Sequence, residues 1–284
     1  MTARDWLNRA KEEHFAIGAF NAANIETIKA IVAAAKNTNA PVIIEASQGE
    51  VSYIGGKNFV AIVRNAAEET GLPIFTNLDH SPTLDAARQG LAWGFDLVHF
   101  NGSTLGYDEN LNQTKTIVAE AHAKNVLVEA ELDTIPGGSS FHTVSAEEEL
   151  KQTKLTDPDQ AAAFSEKTNT DTLAASFGSV HGFYQTQKHI DLTRLREIRT
   201  KTNCFLSLHG GSGMPNEQVK EAIKIGIVKI NVNSELRLAF KKTLKEALAD
   251  NQELAVYKIM PPVIDAVRQV VEEKIKIFGS EGKV

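Results

Sequence analysis

The sequence predicts an α/β fold, a (β/α)8 or TIM barrel with an extra C-terminal amphipathic helix. Three observations carry that reading. Eight short apolar runs recur along the 284 residues, helical patterns separate them, and a polar residue ends nearly every run. Alternating strands and helices imply parallel strands joined by right-handed crossovers. Eight such units in this length match the size of a barrel. The competing arrangement is an open doubly wound sheet, which expects a GxGxxG turn after the first strand and functional ends at one switch point. Here no such turn follows the first strand, and the polar ends are spread over nearly all eight.

Taken in order, Met1 leads into TARDWLNRAKEEH, a polar, helix-like start. Strands are predicted at IGAFNA (17–22), PVIIEAS (41–47), PIFTNLD (73–79), LVHFNG (97–102), VLVEAEL (126–132), TLAASFG (172–178), FLSLHG (205–210) and IVKINVN (227–233). Between them the 3.6-residue pattern predicts helices over Ile25–Lys36, Lys57–Thr70, Thr83–Trp93, Glu109–Lys124, Pro158–Lys167, Leu192–Thr200 and Glu217–Ile225. Gly71, Gly94 and Gly226 stand where these helices should stop. Two stretches fall outside the repeat. Residues 133–156 form a connection of the length usually found in lids and binding loops. From Leu254 onward an apolar pattern (Val256, Ile259, Val263, Val267, Val271, Ile275) predicts the extra helix, broken near Pro261-Pro262 and packed on the barrel or on a partner subunit.

The chain reads as a single domain over residues 1–284. Its 30 basic and 36 acidic side chains leave a net charge of −6 with no long basic run. That argues against a nucleic-acid partner or an anionic membrane surface, so any phosphate must be held locally by backbone amides and a helix N-terminus. The one cysteine, Cys204, allows no intrachain disulfide and fits a reducing cytoplasm. No apolar run approaches the ~20 residues that span a bilayer, and the N-terminus lacks a secretory pattern.

The chemistry gathers where strands hand over to loops, the catalytic end of such barrels. Those ends carry Asn21, Ser47, Asp79 with His80, Asn101, Glu129 with Glu131, His181, His209 with Ser212, and Asn231 with Asn233 and Ser234. Three imidazoles from separate strand ends, with one coordination position open, are how proteins hold a catalytic zinc. Asp79 beside His80 adds a proton carrier to a Lewis acid, a pairing suited to carbonyl chemistry. A lone histidine at a strand end is more often a hydrogen-bonded residue than a ligand, and His99, inside its strand, reads that way. His14, His122 and His189 read as surface or helix-flanking residues. Glu129 and Glu131 share strand parity; they either face basic partners in the barrel core or serve the metal, and Glu131 is the better candidate for the second role. The turn His209-Gly-Gly-Ser-Gly and the junction Asn231-Val-Asn-Ser follow the seventh and eighth strands, where barrels frequently seat phosphate. Amides of Gly211, Ser212, Asn233 and Ser234 are the candidate cradle.

The run LDH, then GSVHGFY, LHGGSG, KINVNSELR and a closing IFGS resemble, in order and spacing, the class II metal-dependent ketose-bisphosphate aldolases. That family includes fructose- and tagatose-bisphosphate aldolases. The resemblance implies zinc bound by His80, His181 and His209, with Glu131 matching a carboxylate that holds the metal in a second position. It implies that Asp79 exchanges a proton with the C4 hydroxyl while zinc polarises the ketone of dihydroxyacetone phosphate. Gly182, Gly210, Ser212 and Asn231 to Ser234 match positions for phosphate, substrate and a monovalent cation, Na+ or K+; Asn231 is counted with Asp79 as catalytic. Ser47 matches a substrate-contacting serine. A homodimer or homotetramer is implied.

Three departures stand out. Asn101 occupies a position usually held by Asp. Glu131-Leu-Asp-Thr-Ile-Pro-Gly-Gly-Ser-Ser replaces a glycine-rich run with acidic residues, one of which is the family's mobile base. Gln185 stands where a basic residue often follows the HGxY run, with Lys188 as a stand-in. His142, or Glu147 to Glu149, would supply a replacement base if the long loop folds inward; the plainer reading makes the glutamates a solvated helix start. The expected function is reversible cleavage of a ketose (bis)phosphate, fructose 1,6-bisphosphate foremost, to dihydroxyacetone phosphate and an aldehyde. The alternative is a divergent paralogue that binds metal and sugar phosphate but acts on another ketose phosphate or has lost aldol chemistry.

Overall fold

The computed structural model describes every residue except Gln152 and Asp250. Eight parallel strands close in sequence order, with β8 returning to β1. They are β1 (Ile17–Asn21), β2 (Val42–Ser47), β3 (Ile74–Ser81), β4 (Leu97–Asn101), β5 (Leu127–Glu131), β6 (Thr172–Ala174), β7 (Phe205–Leu208) and β8 (Ile227–Val232). Helix α1 (Ala3–Glu13) precedes the barrel. The crossovers are α2 (Ile25–Thr38), α3 (Gln48–Ile54) with α4 (Gly56–Thr70), α5 (Leu84–Trp93), α6 (Tyr107–His122), α7 (Ala146–Leu150) with α8 (Pro158–Thr168), α9 (Leu192–Lys201) and α10 (Asn216–Ile225). After β8 come α11 (Ser234–Leu248), α12 (Val256–Ile259) and α13 (Pro261–Phe278).

All eight predicted strands are present, most one or two residues shorter than the apolar runs that signal them. The short helix α3 is not expected from the sequence, whereas α7 meets the helix start that Glu147 to Glu149 suggest. Each opens with a capping box: Ser47 with Glu50, and Ser145 with Glu148. That reciprocal satisfaction of helix-start amides stabilises even one or two turns. The helical tail is broken where expected: α12 ends at Ile259, and Pro261 and Pro262 begin α13, at positions where the missing N–H costs nothing. Val263, Val267, Val271, Ile275 and Phe278 form its buried stripe, and α13 packs on α2 and α11. The apolar face predicted for the tail therefore faces the barrel's own helical layer.

Two features fix which end of the barrel is open. At the N-terminal end, Trp6, Leu7 and Ala10 of α1 pack with Ile17, Ile43, Leu97, Leu127, Phe205 and Val228 into one apolar plug. Burying a side chain of Leu7's size contributes about 1.5–3 kcal/mol, so α1 is bound as a stopper. Above the plug the interior turns polar, with Glu45, Asn77, His99, Glu129, Ser207 and Lys229 all fully or almost fully buried. Helix α5 lies close on the sheet because Gly90 carries no side chain; a Cβ there would press into Leu78. No helix among the described residues is long and apolar enough to cross a membrane.

Candidate active site

The C-terminal mouth of the barrel holds a cavity of about 240 Å³ lined by Asn21, Ser47, Asp79, His80, Ser139, His181, Gly182, His209, Gly210, Ser212, Asn231, Asn233, Ser234 and Arg237. Of the predicted site residues only Glu131 and Gly211 lie behind this wall. A larger cavity of about 570 Å³ opens near Arg4 and Asp171. It lies at the α1 end of the barrel, away from the converging imidazoles.

His80 is aimed by its backbone. The β3–β4 register shifts between Leu78 and Ser81, and His80 takes a left-handed conformation with φ 51°. Such strain in a non-glycine residue clusters at functional sites, and the bulge re-aims the side chain toward the strand end. Its ring centre lies 5.4 Å from that of His181 and 5.0 Å from that of His209, with His181 and His209 5.8 Å apart. Burial pushes the His80 imidazole down to about 4 and that of His181 to about 3. Both are therefore neutral near pH 7, the form that ligates a metal.

Each imidazole is held from behind. The His209 Nε2 meets Glu129 Oε1 at 2.9 Å, and His209 Nδ1 is buried with no hydrogen-bond partner. His181 Nδ1 meets the Pro136 carbonyl at 3.3 Å, which leaves Nε2 for the cavity side. His80 Nδ1 lies 3.0 Å from the Asn101 amide. An orphaned ring nitrogen backed by a carboxylate-anchored partner nitrogen is the arrangement of a metal-binding histidine, so the donor set fits a metal ion.

A tighter donor group also exists: Asp79, His80, His99 and His209 offer atoms all within 4.8 Å of one another. His99 is nonetheless the weaker ligand. It does not line the cavity, and it lies between Asp79 at 3.5 Å and Glu131 at 3.4 Å. Burial pulls its imidazole down, but Glu129, Asp79 and Glu131 outweigh that and carry it up to about 10. Set between these two carboxylates, His99 organises them from beneath the cavity. This agrees with the interior role expected of His99.

Asp79 sits among the three. Burial favours its neutral form, but His80 and the hydrogen bond with His99 hold its carboxyl well below the usual range. Amides of Asn21 and Asn231 donate to it at 3.2 and 3.3 Å. Below, Lys229 Nζ lies 2.8 Å from Glu129 and 3.5 Å from Glu45, and donates to Asn231 Oδ1 at 2.7 Å. Glu129 thus has the basic core partner that its parity allowed. Glu131 accepts from Ser103 Oγ at 3.0 Å, while its Oε2 is buried and unpartnered 3.7 Å from His80 Nδ1. Its carboxyl is lowered to about 2, since burial is outweighed by His99 and His80.

The turn after β7 folds onto the start of α11. A Cβ on Gly210 would collide with the Val180 carbonyl, so only glycine fits. Gly211 N donates to Asn231 O at 3.1 Å, and Asn233 N and Glu235 N share Ser212 Oγ at 3.3 and 3.4 Å. Of the four amides expected to cradle phosphate, those of Gly211 and Asn233 are thus engaged within the protein. Among the described residues, Ser212 and Ser234 have no protein acceptor for theirs, and neither does Gly182.

The loop after β5 is stitched to the β6 loop by Phe183 N to Ser140 O at 2.9 Å and His142 N to Phe183 O at 2.8 Å. His142 stacks on Tyr184 with ring centres 4.4 Å apart, and its Nε2 meets Gly138 O at 2.8 Å. Glu147 accepts from Thr186 Oγ1 at 2.7 Å and Glu148 caps α7. Neither His142 nor these glutamates line the cavity; from this loop only Ser139 does.

Sequence reasoning missed Glu45, Lys229, Glu50 and Arg237. Charged residues inside otherwise apolar runs (PVIIEAS, IVKINVN) were a readable signal for the first two. Arg237, one turn into α11, pairs with Glu50 at 2.7 Å on the cavity's rim.

A closed barrel with three imidazoles and a carboxylate converging on one mouth defines an enzyme equipped for metal-assisted chemistry. The family described as class II fructose-bisphosphate aldolase matches residues 1–283, and the chain belongs to it. It is thus a carbon–carbon lyase. It is 36% identical over 289 residues to a fructose-bisphosphate aldolase of Geobacillus stearothermophilus, covering 100% of this chain and 98% of that one. It is 34% identical over 284 residues to a sulfofructosephosphate aldolase of Alkalicoccus urumqiensis, with the same coverage. Among solved structures, the YdjI aldolase of Escherichia coli K12 superposes with a TM-score of 0.83 at 30% identity, over 100% of this chain and 98% of that one.

Proposed function

We propose that this aldolase reversibly cleaves a ketose phosphate, fructose 1,6-bisphosphate foremost, to dihydroxyacetone phosphate and an aldehyde, using one zinc ion held by His80, His181 and His209. The observation that carries the reading is that Asp79 and these imidazoles line one cavity together with Ser212 and Ser234. The bound metal supplies a Lewis acid that polarises the substrate's carbonyl. Glu131, with its unpartnered Oε2, would offer the metal a further ligand.

The protein's own residues supply the remainder. Asp79 takes the proton of the C4 hydroxyl as the C3–C4 bond breaks, so C4 becomes the aldehyde carbonyl, and the electron pair left on C3 of the three-carbon fragment takes a proton from solvent water to give dihydroxyacetone phosphate. In the synthetic direction the proton returns. Asn21 and Asn231 hold the carboxylate in place for that transfer, and a positioned base of this kind is worth ~10²–10⁴ in rate. The amides of Gly182, Ser212 and Ser234 seat the phosphate at the N-terminus of α11. Ser47 and Arg237, joined through Glu50, also line the cavity and are suited to the distal end of the sugar.

A second reading, cleavage of a different ketose phosphate, draws on Arg237: its guanidinium is already paired with Glu50, which weakens its grip on a second phosphate. The same proposal places the enzyme in the cytoplasm as a homodimer or homotetramer acting in carbohydrate metabolism; the lone Cys204 supports the compartment. The test is dihydroxyacetone phosphate release from a panel of ketose mono- and bisphosphates by zinc-loaded and EDTA-stripped protein. Metal-dependent release names the substrate. Metal retention with no release from any sugar sinks the aldolase reading in favour of a divergent phosphate binder.

A further inference from the structure

Lys188 is the only lysine near the phosphate turn that is buried without a carboxylate within salt-bridge distance among the described residues; it is 2% exposed. Its Nζ donates to Ser212 O at 2.6 Å and to Gly210 O at 3.2 Å. The Tyr184 ring centre lies 5.9 Å away. Two other charged groups influence it, Glu235 on α11 and Lys274 on α13, and these are paired with each other at 2.8 Å. Glu235 is further occupied by Gly213 N at 2.5 Å. The ammonium is therefore dry and held chiefly by backbone carbonyls, behind the turn whose front face lines the cavity.

A monocation held by backbone carbonyls in place of its hydration shell is how proteins bind a potassium ion. An ammonium group offers the same charge to the same oxygens. A buried cation without a counter-ion is costly, and the group that would offset it is an anion on the other face of the turn. We infer that the Lys188 ammonium is a built-in monovalent cation: it occupies the carbonyls of Gly210 and Ser212 and balances the charge of a phosphate seated on that turn, so the site needs no added Na+ or K+. The inference rests on the phosphate seat proposed above, and it replaces the dissociable ion that the sequence resemblance implies. Burial, which pushes the amine down to about 8, is consistent with a cation awaiting its anion.

The test is calorimetric binding of inorganic phosphate to metal-loaded full-length protein, with tetramethylammonium, sodium or potassium as the sole buffer cation. Wild type is expected to bind with the same affinity, within about twofold, in all three. Lys188→Met keeps the stem and removes the ammonium, leaving room for an ion. It is expected to bind phosphate at least tenfold more weakly in tetramethylammonium and to recover in potassium, a rescue that a merely structural lysine would not permit. Wild-type binding that requires sodium or potassium overturns the inference, and this arm needs no variant to fold. So does Lys188→Met binding that is unimpaired, or impaired beyond rescue in a protein of normal melting temperature. Phosphate binding that is absent from wild type in every cation overturns the phosphate seat, and this inference with it. Turnover is not read, so failure of the aldol chemistry leaves the test standing.

Discussion

Glu129 Oε1 lies 2.9 Å from His209 Nε2 deep in the barrel, and this contact decides which nitrogen of His209 faces the cavity. With Nε2 engaged, Nδ1 is the donor left without a partner. Glu129 is itself held by Lys229 and Ser207, and its carboxyl is kept well below the usual range because Lys229 and His209 outweigh burial. Replacing an orienting carboxylate behind a metal-bound histidine typically costs 10–100-fold in metal affinity. Glu129→Gln is expected to lose zinc affinity by about that factor in a chelator competition while the cavity residues remain in place. Unchanged affinity would show that His209 does not depend on this anchor.

Asp79 is assigned the proton, not the metal. Asp79→Asn preserves shape and can still bond to its neighbours, so zinc content should stay at the wild-type level. Turnover should fall by about 10²–10⁴, the range for loss of a positioned base, with most of the fall in kcat. The comparison is kcat and zinc stoichiometry on the same preparation. A variant that loses zinc and activity together would reassign Asp79 to the metal, as its place in the tighter donor group allows.

The barrel was legible because its strands are continuous apolar runs ending in polar residues, the pattern of parallel strands buried on both faces. The three histidines and Asp79 were legible for the same reason: each ends such a run. Depth was not. Glu45 and Lys229 are distant in sequence and meet at 3.5 Å only because β8 closes on β1 and β2 lies beside it. His142 was an open candidate as a base until its stacking on Tyr184 placed it away from the cavity. The sequence marks Lys188 as a basic residue after the HGxY run, but no periodicity reveals that its amine turns inward to two carbonyls.

His181 separates the two candidate metal sets. If His80, His181 and His209 bind the ion, His181→Ala should fail to retain zinc through gel filtration, and its activity should not return on adding a modest excess of metal. Wild type stripped with EDTA should recover on reloading. If instead Asp79, His80, His99 and His209 hold the metal, His181→Ala keeps its zinc and His99→Ala loses it. Metal analysis of the two variants side by side distinguishes the sets without an assay of turnover.

Lys188 makes a prediction about stability with a definite sign. Its amine falls from an ordinary 10.5 to about 8 in the folded protein because burial disfavours the charge, with Glu235 drawing it up and Lys274 pushing it down. Below pH 8 the folded and unfolded chains both carry the proton, and the fold bears the whole cost of the buried cation. Between about 8 and 10.5 the unfolded chain binds a proton that the folded chain has released, so stability rises with pH across that window. Lys188→Met lacks this contribution, and all other groups are common to both proteins. In urea titrations of phosphate-free protein, wild type should therefore gain on Lys188→Met between pH 7.5 and pH 10. Saturating phosphate should reduce the gain, because an anion on the turn holds the proton on Lys188 to higher pH. A stability difference that stays flat over this range would mean that the Lys188 amine does not change its charge there, or that water reaches it in the folded state.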